Sequence, residues 1–288
     1  MCLFGLIRSL FKCRKMRRNF FFFGVFILIL SMHRWVWCSS EIVNLDEGLT
    51  VQQIENRFYL YTHYFPWPAN GLIVLIGDTH LILVDTPYTP EATRVLLRWS
   101  SHEFGVREII AINTGSHIDN LGGNEYLLSK NIPIYGSCST PKVLQRTGES
   151  TRKKILDYII NLDDKKYYDT LKKLRLTAPT HLFKNYKGLK LTYGNDSLEA
   201  FYPGPGVMAD NIVVYFIVDG KKILFGGSIV RPMENRRLGY TDDANLAEWP
   251  KSLQRILEKF PDCKIVIPGH GKLGGKGLIK HTIDLLDK

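Results

Sequence analysis

Short runs of β-branched and aromatic residues, separated by turn residues, follow one another from residue 58 onward. They predict strands, because apolar stretches of this length bounded by proline, asparagine and glycine are typical of a strand meander. A later stretch has apolar residues at helical spacing, and Thr89 and Pro90 favour a helix start there. The predicted strands of this half cover residues 58–65, 71–76, 81–84, 109–112 and 132–136, and the predicted helices cover residues 91–101 and 124–129.

The second half repeats this order of strands followed by helices. Residues 139–173, between the halves, are helical in pattern and carry charges of both signs, which is typical of a solvated helix face. Two successive halves predict two sheets packed face to face with helices outside, a four-layer αββα sandwich of the α/β class. The predicted strands of the second half cover residues 189–192, 198–202, 212–218, 222–225 and 265–267, with helices at residues 247–259 and at the C-terminus.

The first forty residues have the pattern of an export segment. A basic stretch at residues 8–18 precedes an apolar run at residues 20–32, which small residues follow at 38–40. This run is shorter than the roughly 20 residues that span a bilayer, and it suits a signal peptide. Residues 1–40 are therefore expected to be a signal peptide or an N-terminal membrane anchor, and the only membrane contact. We expect residues 41–288 to form one domain, periplasmic or secreted.

The net charge of +10 arises mainly in this leader. Seven of the 38 basic residues precede the first acidic residue, Glu41, and the rest of the chain is nearly balanced against its 28 acidic residues. Nucleic-acid-binding faces need clustered lysine and arginine, so no nucleic-acid partner is expected.

Two cysteines, Cys138 and Cys263, lie outside the leader, beside apolar strand-like runs. Two cysteines in a chain of this length do not define a disulfide framework. We expect both to be structural and unpaired.

Three turns of small residues stand out because each follows or joins apolar strands, where side chains project from a rigid scaffold. One turn carries His117 and Asp119, and another carries His270 between two glycines. Imidazole nitrogen and carboxylate oxygen are ligands that suit zinc. Each signal alone is weak, since a histidine in a glycine turn is more often a hydrogen-bonded surface residue. The three turns cover residues 113–123, 202–211 and 267–271.

Taken together and in order, these segments resemble the class B (zinc) β-lactamases. The resemblance covers residues from about 58 to 272 and implies the metallo-β-lactamase fold, with a four-layer αββα sandwich. It also implies zinc-dependent hydrolysis of a small β-lactam-like molecule. The segments that carry it are Pro68-Ala69-Asn70-Gly71-Leu72, Leu83-Val84-Asp85-Thr86-Pro87, residues 113–123, Tyr202-Pro203-Gly204-Pro205-Gly206, Asp210-Asn211, Phe225-Gly226-Gly227-Ser228 and Pro268-Gly269-His270-Gly271.

The chain departs from the family at about half of the metal-binding positions. His117, Asp119 and His270 match the family motif, whereas the other three ligands are replaced. Neither of the two zinc sites that the resemblance implies keeps three good donors, which a catalytic zinc normally has. The replacements are Gly115 for a histidine, Val207 for a second histidine and Ser228 for a cysteine.

One zinc ion or none is therefore expected. Its predicted ligands are His117, Asp119 and His270, with Ser228 as a weak fourth, because a neutral hydroxyl is a poor substitute for a thiolate. Asp119, if it is not a ligand, would orient the attacking water and so act in catalysis. A protein purified without bound metal would exclude the one-zinc alternative.

The resemblance also implies substrate-binding residues. Arg231 stands where the family usually has a lysine that grips the substrate carboxylate, and Trp67 is placed to cover an apolar substrate face. Tyr240 stands where many members have an asparagine that assists the oxyanion, which puts that role in doubt. Asp85 and Asp210 are interpreted as structural, buried and hydrogen-bonded residues.

Three functions remain open from the sequence. The first is a metal-dependent hydrolase resembling β-lactamase, with weak or altered activity. The second is a catalytically inactive binding module with the same fold, and the third is hydrolysis of a different bond, since a fold does not fix chemistry. His63 or His181 could complete a metal shell, although either is more often a surface histidine. A monomer is expected.

Overall fold

The first sheet collects the strands of the N-terminal half. In the computed structural model, which describes residues 41–161 and 165–288, it has eight strands that follow one another in chain order. Strands β1 to β5 pair antiparallel, and β5 to β8 pair parallel. The strands are β1 (Ile42–Asp46), β2 (Leu49–Glu55), β3 (Phe58–Tyr64), β4 (Pro68–Ile76), β5 (His80–Val84), β6 (Glu108–Ile112), β7 (Ile134–Ser137) and β8 (His181–Phe183).

The second sheet has five strands in the order β13-β12-β11-β10-β9. Its β12 and β13 are parallel, so their carboxyl ends meet at one edge. The strands are β9 (Leu189–Tyr193), β10 (Asp196–Phe201), β11 (Val213–Val218), β12 (Lys221–Gly227) and β13 (Ile265–Pro268). The helices are α1 (Pro90–Phe104), α2 (Ile118–Leu121), α3 (Asn124–Ser129), α4 (Thr140–Ile160), α5 (Lys165–Lys173), α6 (Trp249–Lys259) and α7 (Gly277–Leu286).

Alternation along the strands generates the layers. In β4, Leu72 and Val74 face the second sheet and share a buried cluster with Phe216 of β11. The intervening Ile73 faces the other way and packs with Leu96 of α1. Successive strand residues point to opposite faces, so one strand contributes to two apolar layers. The first sheet thus lies between the second sheet and an outer helix layer.

The second sheet is covered in the same way. Leu224 and Val266 share a buried cluster with Trp249 and Leu253 of α6 and Ile279 of α7. These helices therefore form the fourth layer, outside the second sheet. The αββα sandwich and the α/β class that the sequence predicts are confirmed.

Helix starts and breaks follow local chemistry. Thr89 caps α1, since its Oγ1 accepts from the Ala92 amide at 3.1 Å, and Pro90 is the first helical residue. The helical pattern over residues 139–173 belongs to two helices, α4 and α5, and not to one. Strands β1, β2 and β8 were not predicted from the sequence; β8 has only three residues and β1 is largely exposed.

Two hydrogen-bonded joints connect the sheets at the edge where the predicted site residues lie. The Asn70 amide donates to Gly269 O at 2.8 Å, and the Ile212 amide donates to Thr114 O at 2.9 Å. The buried Asn70 side chain adds bonds from Nδ2 to Pro268 O at 3.0 Å and to Gly271 O at 2.8 Å. The turn after β13 is therefore fixed against β4.

The predicted leader, residues 1–40, lies outside the described residues. No helix in the described ranges is both long and apolar enough to span a bilayer. Cys138 is exposed and Cys263 is buried, and both are free thiols, as predicted from the sequence.

We predict that Asn70→Ala lowers the free energy of unfolding by about 2–3 kcal/mol, because two backbone carbonyls of the β13 turn and the Thr62 hydroxyl lose their partner. Denaturant unfolding of the purified protein measures the change. Thr62→Val is the control, since it removes only one of these bonds and should cost about 1 kcal/mol. Equal costs for the two variants would contradict the role assigned to Asn70.

Candidate active site

His270 lies in the turn after β13, where both ring nitrogens have partners. Its Nδ1 lies 2.8 Å from Pro68 O, and because a carbonyl oxygen only accepts, Nδ1 carries a proton. Its Nε2 lies 3.1 Å from Asp119 Oδ2. The Pro68 carbonyl thus sets the ring orientation and turns Nε2 toward the carboxylate.

Asp119 projects from α2, the short helix that follows β6. Burial raises the pKa of its carboxyl, but the hydrogen bond to His270 and the charges of His270 and His117 outweigh burial, so the pKa lies below its usual value. The carboxylate is therefore ionised at neutral pH. An ionised carboxylate beside a cleft can accept a proton from water, but the lowered pKa makes Asp119 a weaker base than an ordinary carboxylate.

His117 immediately precedes α2 and is held by a different carboxylate. Its Nε2 lies 3.0 Å from Asp243 Oδ2, and the same oxygen accepts from Tyr240 Oη at 3.0 Å and from Thr151 Oγ1 at 3.2 Å. The hydrogen bond from His117 is the main cause that lowers the pKa of Asp243 to about 2. Tyr240 also packs edge-on against the imidazole, with ring centroids 5.7 Å apart. The orientation of His117 is therefore fixed by the loop that carries Tyr240 and Asp243, which Thr151 of α4 supports.

The position beside Gly115 is filled by another side chain. A Cβ built on Gly115 would lie 2.4 Å from Met208 Cε and 2.9 Å from Met208 Sδ. Met208 is only 1% exposed and belongs to the buried cluster under α6, as does the neighbouring Val207. The space for a side chain at position 115 is therefore closed by packing.

Ser228 lies beside the β13 turn, where a cysteine would stand in the family. A Cβ built on Gly269 would lie 2.9 Å from Ser228 Oγ, which places the hydroxyl next to the residue before His270. The hydroxyl is buried and has no hydrogen-bond partner among the described residues. As a metal ligand this hydroxyl is weak, because a neutral hydroxyl lacks the charge of a thiolate.

These residues do not fit a zinc site with three strong donors. Within residues 41–161 and 165–288, no three histidine, cysteine or acidic side chains lie close enough to hold one ion. Asp119 and His270 come together, whereas His117 is paired with Asp243, and the three-residue ligand set expected from the sequence stays a prediction. What remains intact is the orientation of each imidazole by an acceptor on its second nitrogen, which is how ligating histidines are held.

The predicted substrate-binding residues lie in two different environments. Trp67 lines a cavity together with His117 and Asp119. Arg231 is only 6% exposed; its guanidinium lies 5.1 Å from the centroid of the Trp249 ring, and Nη2 donates to Tyr240 O at 3.2 Å. Burial lowers the pKa of Arg231 to about 10. Arg231 does not line this cavity, and its role toward a substrate carboxylate stays a prediction.

The two carboxylates interpreted as structural are buried. Asp85 accepts from the Thr114 amide, the Thr114 hydroxyl and Asn120 Nδ2 at 2.7, 2.8 and 3.0 Å. Burial raises its pKa to about 8, against the effect of these three donors. Asp210 accepts from Ser116 Oγ at 3.0 Å, and burial raises its pKa as well. Both side chains therefore stabilise the segment before His117, through Thr114 and Ser116.

Neither alternative histidine reaches this group. His63 is buried, with Nδ1 accepting from the Tyr88 amide at 3.1 Å, and burial lowers its pKa to about 4. His181 is exposed on β8. Sequence reasoning missed Asp243 and Thr151, since an aspartate in a polar loop and a threonine in a charged helix carry no motif.

We predict that Gly115→His lowers the free energy of unfolding by about 1–3 kcal/mol, because the new side chain meets Met208. Adding Met208→Ala should recover part of this loss, which gives a coupling of at least about 1 kcal/mol in a double-mutant cycle measured by denaturant unfolding. Gly277→His is the control, since a Cβ there meets its first atom only at 3.7 Å. Purely additive costs would show that Met208 does not fill this position.

Comparison with known proteins agrees with the fold. Residues 66–270 match the family described as the metallo-beta-lactamase superfamily. A metallo-beta-lactamase type 2 from Bacillus sp. (strain 170) is 30% identical over 250 residues, which cover 85% of each chain. One from Pseudomonas aeruginosa is 31% identical over 240 residues, covering 81% of this chain and 82% of the other. The solved metallo-beta-lactamase from Pontibacter korlensis superposes with a TM-score of 0.69 at 29% identity, over 83% of this chain and 99% of that one. The chain belongs to the metallo-β-lactamase superfamily.

Proposed function

We propose that this protein is a hydrolase of the metallo-β-lactamase type that opens a small β-lactam-like cyclic amide with low turnover. The observation that carries the proposal is the pairing of His270 with Asp119 at 3.1 Å, beside a cavity that Trp67 and His117 also line. Relatives over 81–85% of the chain bear the name metallo-beta-lactamase, which supports a hydrolase over a binding module.

The chain's own residues account for part of such a reaction. Asp119 is ionised and able to accept a proton from the attacking water, and His270 holds the carboxylate in place. A positioned general base contributes about 10²–10⁴-fold to a rate. Complete enzymes reach about 10⁶-fold or more, so this pair alone supports only weak hydrolysis.

We propose that the protein binds at most one zinc ion, and weakly. Zinc, when bound, supplies a Lewis acid and an acidic water. Asp119 and His270 are the two strong donors near each other, and Ser228 adds a neutral hydroxyl. Two strong donors fall short of the usual three.

Export through residues 1–40 would place this activity in the periplasm or outside the cell. We also propose that the protein is a monomer.

Zinc content tests the proposed ligands. We predict that protein purified without chelator holds less than one zinc per chain, and that Ser228→Cys raises the zinc affinity about tenfold or more, because a thiolate replaces a hydroxyl beside His270. Elemental analysis and competition with a chromogenic chelator give the numbers. Cys138 is exposed, so Cys138→Ser is included in both proteins to exclude zinc bound there. Two zinc ions per wild-type chain would contradict the proposal.

Hydrolysis tests the activity itself. We predict slow turnover of a chromogenic cephalosporin and a carbapenem with added zinc, and a further loss of about tenfold or more in His270→Ala. His181→Ala is the matched control, because it removes an exposed histidine of β8. If wild type, His270→Ala and His181→Ala are equally inert, the protein is a binding module and the hydrolase proposal fails.

A further inference from the structure

A cavity of about 230 Å³ opens beside His117 and Asp119. Its volume is below the roughly 300–1,000 Å³ of pockets that enclose a whole drug-sized ligand. The cavity is therefore large enough for one substituent of a larger molecule. The rest of that molecule would lie toward His117 and Asp119.

One face of α4 forms a wall of this cavity. Thr151, Lys154, Ile155 and Tyr158 line it, and their spacing of three and four residues puts them on the same side of the helix. The sequence pattern predicts a solvated face for this helix, and the structure shows that part of the surface is instead turned to the cleft. Sequence periodicity could not reveal this, because the wall is only about two helical turns long and mixes polar with apolar residues.

The α4 wall is held in place by contacts to two loops. Thr151 donates to Asp243, and Lys154 Nζ lies 2.8 Å from Asp242 Oδ2. On the other side, the Tyr158 ring lies edge-on to the Trp67 ring, with centroids 5.6 Å apart. The cavity is therefore formed before a ligand arrives, which reduces the entropy cost of binding.

The lining selects by shape and by polarity. Its surfaces are three aromatic rings and two isoleucine side chains, from Trp67, Tyr158, Tyr240, Ile118 and Ile155. Aromatic rings favour edge-to-face or offset contacts with another ring. The side chains that line the cavity therefore favour a flat apolar group.

The charged groups at the cavity do not favour an anion inside it. Lys154 is paired with Asp242, and its Nζ lies 5.6 Å from the centroid of the Tyr240 ring. Its charge is therefore already compensated at the rim. His117 is likewise paired with Asp243, which leaves apolar contact as the main source of affinity in this cavity.

We infer that this cavity binds a flat aromatic acyl substituent of the substrate, and that Ile155 and Tyr158 of α4 select it. That the substituent belongs to a β-lactam-like amide rests on the proposed function. The binding of the aromatic group itself rests only on the cavity. Both residues act on substrate binding, because neither forms a hydrogen bond with Asp119 or His270.

The binding test uses two probes that differ by one phenyl ring, N-phenylacetylglycine and N-acetylglycine, in calorimetric titrations of the purified protein. N-phenylacetylglycine should bind about tenfold or more tightly, as expected for burying an aromatic ring. Ile155→Ser and Tyr158→Ser, tested separately, should each remove most of this preference. Ile160→Ser is the matched control, since Ile160 is 57% exposed at the end of the same helix and does not line the cavity. Circular dichroism identifies any variant that fails to fold, and the other then carries the test.

Turnover separates this inference from the proposed function. Benzylpenicillin and 6-aminopenicillanic acid differ by a phenylacetyl group. If both are hydrolysed, the Ile155→Ser substitution should raise KM for benzylpenicillin and leave KM for 6-aminopenicillanic acid unchanged. If neither is hydrolysed while N-phenylacetylglycine still binds preferentially, the hydrolase proposal fails and the cavity assignment stands. Equal binding of the two glycine derivatives, or an equal loss in Ile160→Ser, overturns the inference.

Discussion

The site depends on the joint between the two sheets. Asn70 of β4 bonds the turn after β13 through its backbone and its side chain, and Thr114 O accepts from the Ile212 amide. These bonds bring residues about 200 positions apart in the chain into one cleft. Because buried polar groups that lose their partners cost free energy, the joint constrains where each turn can lie. His270 and Asp119 meet as a consequence.

The fold could be predicted from the sequence because its information is local and repeated. Strand runs, the Thr89 cap and the alternation of β4 each point to the same layers. Strands β1 and β8 could not be predicted, because β1 is largely exposed and β8 has only three residues. The helical pattern over residues 139–173 does not show where α4 ends and α5 begins, since charge and periodicity do not mark that break.

The site could be predicted only in part. The sequence singles out His117, Asp119 and His270 because they stand in turns after strands. The structure places His117 and Asp119 at the cavity and His270 beside Asp119. Their convergence on one ion could not be read from spacing, because it depends on the partner of each ring nitrogen. Asp243 binds His117 from a loop without a motif, and Met208 fills the space beside Gly115. The structure therefore keeps the groups that orient two imidazoles while the additional strong ligands are absent.

This cleft keeps two oriented imidazoles but lacks a complete ligand set for zinc. A crystal structure grown with excess zinc, with anomalous data collected on both sides of the zinc absorption edge, tests it most directly. We predict at most one partially occupied peak, between Asp119 and His270, and none in the space that Met208 fills. Two fully occupied peaks, one of them bound by His117, would contradict it.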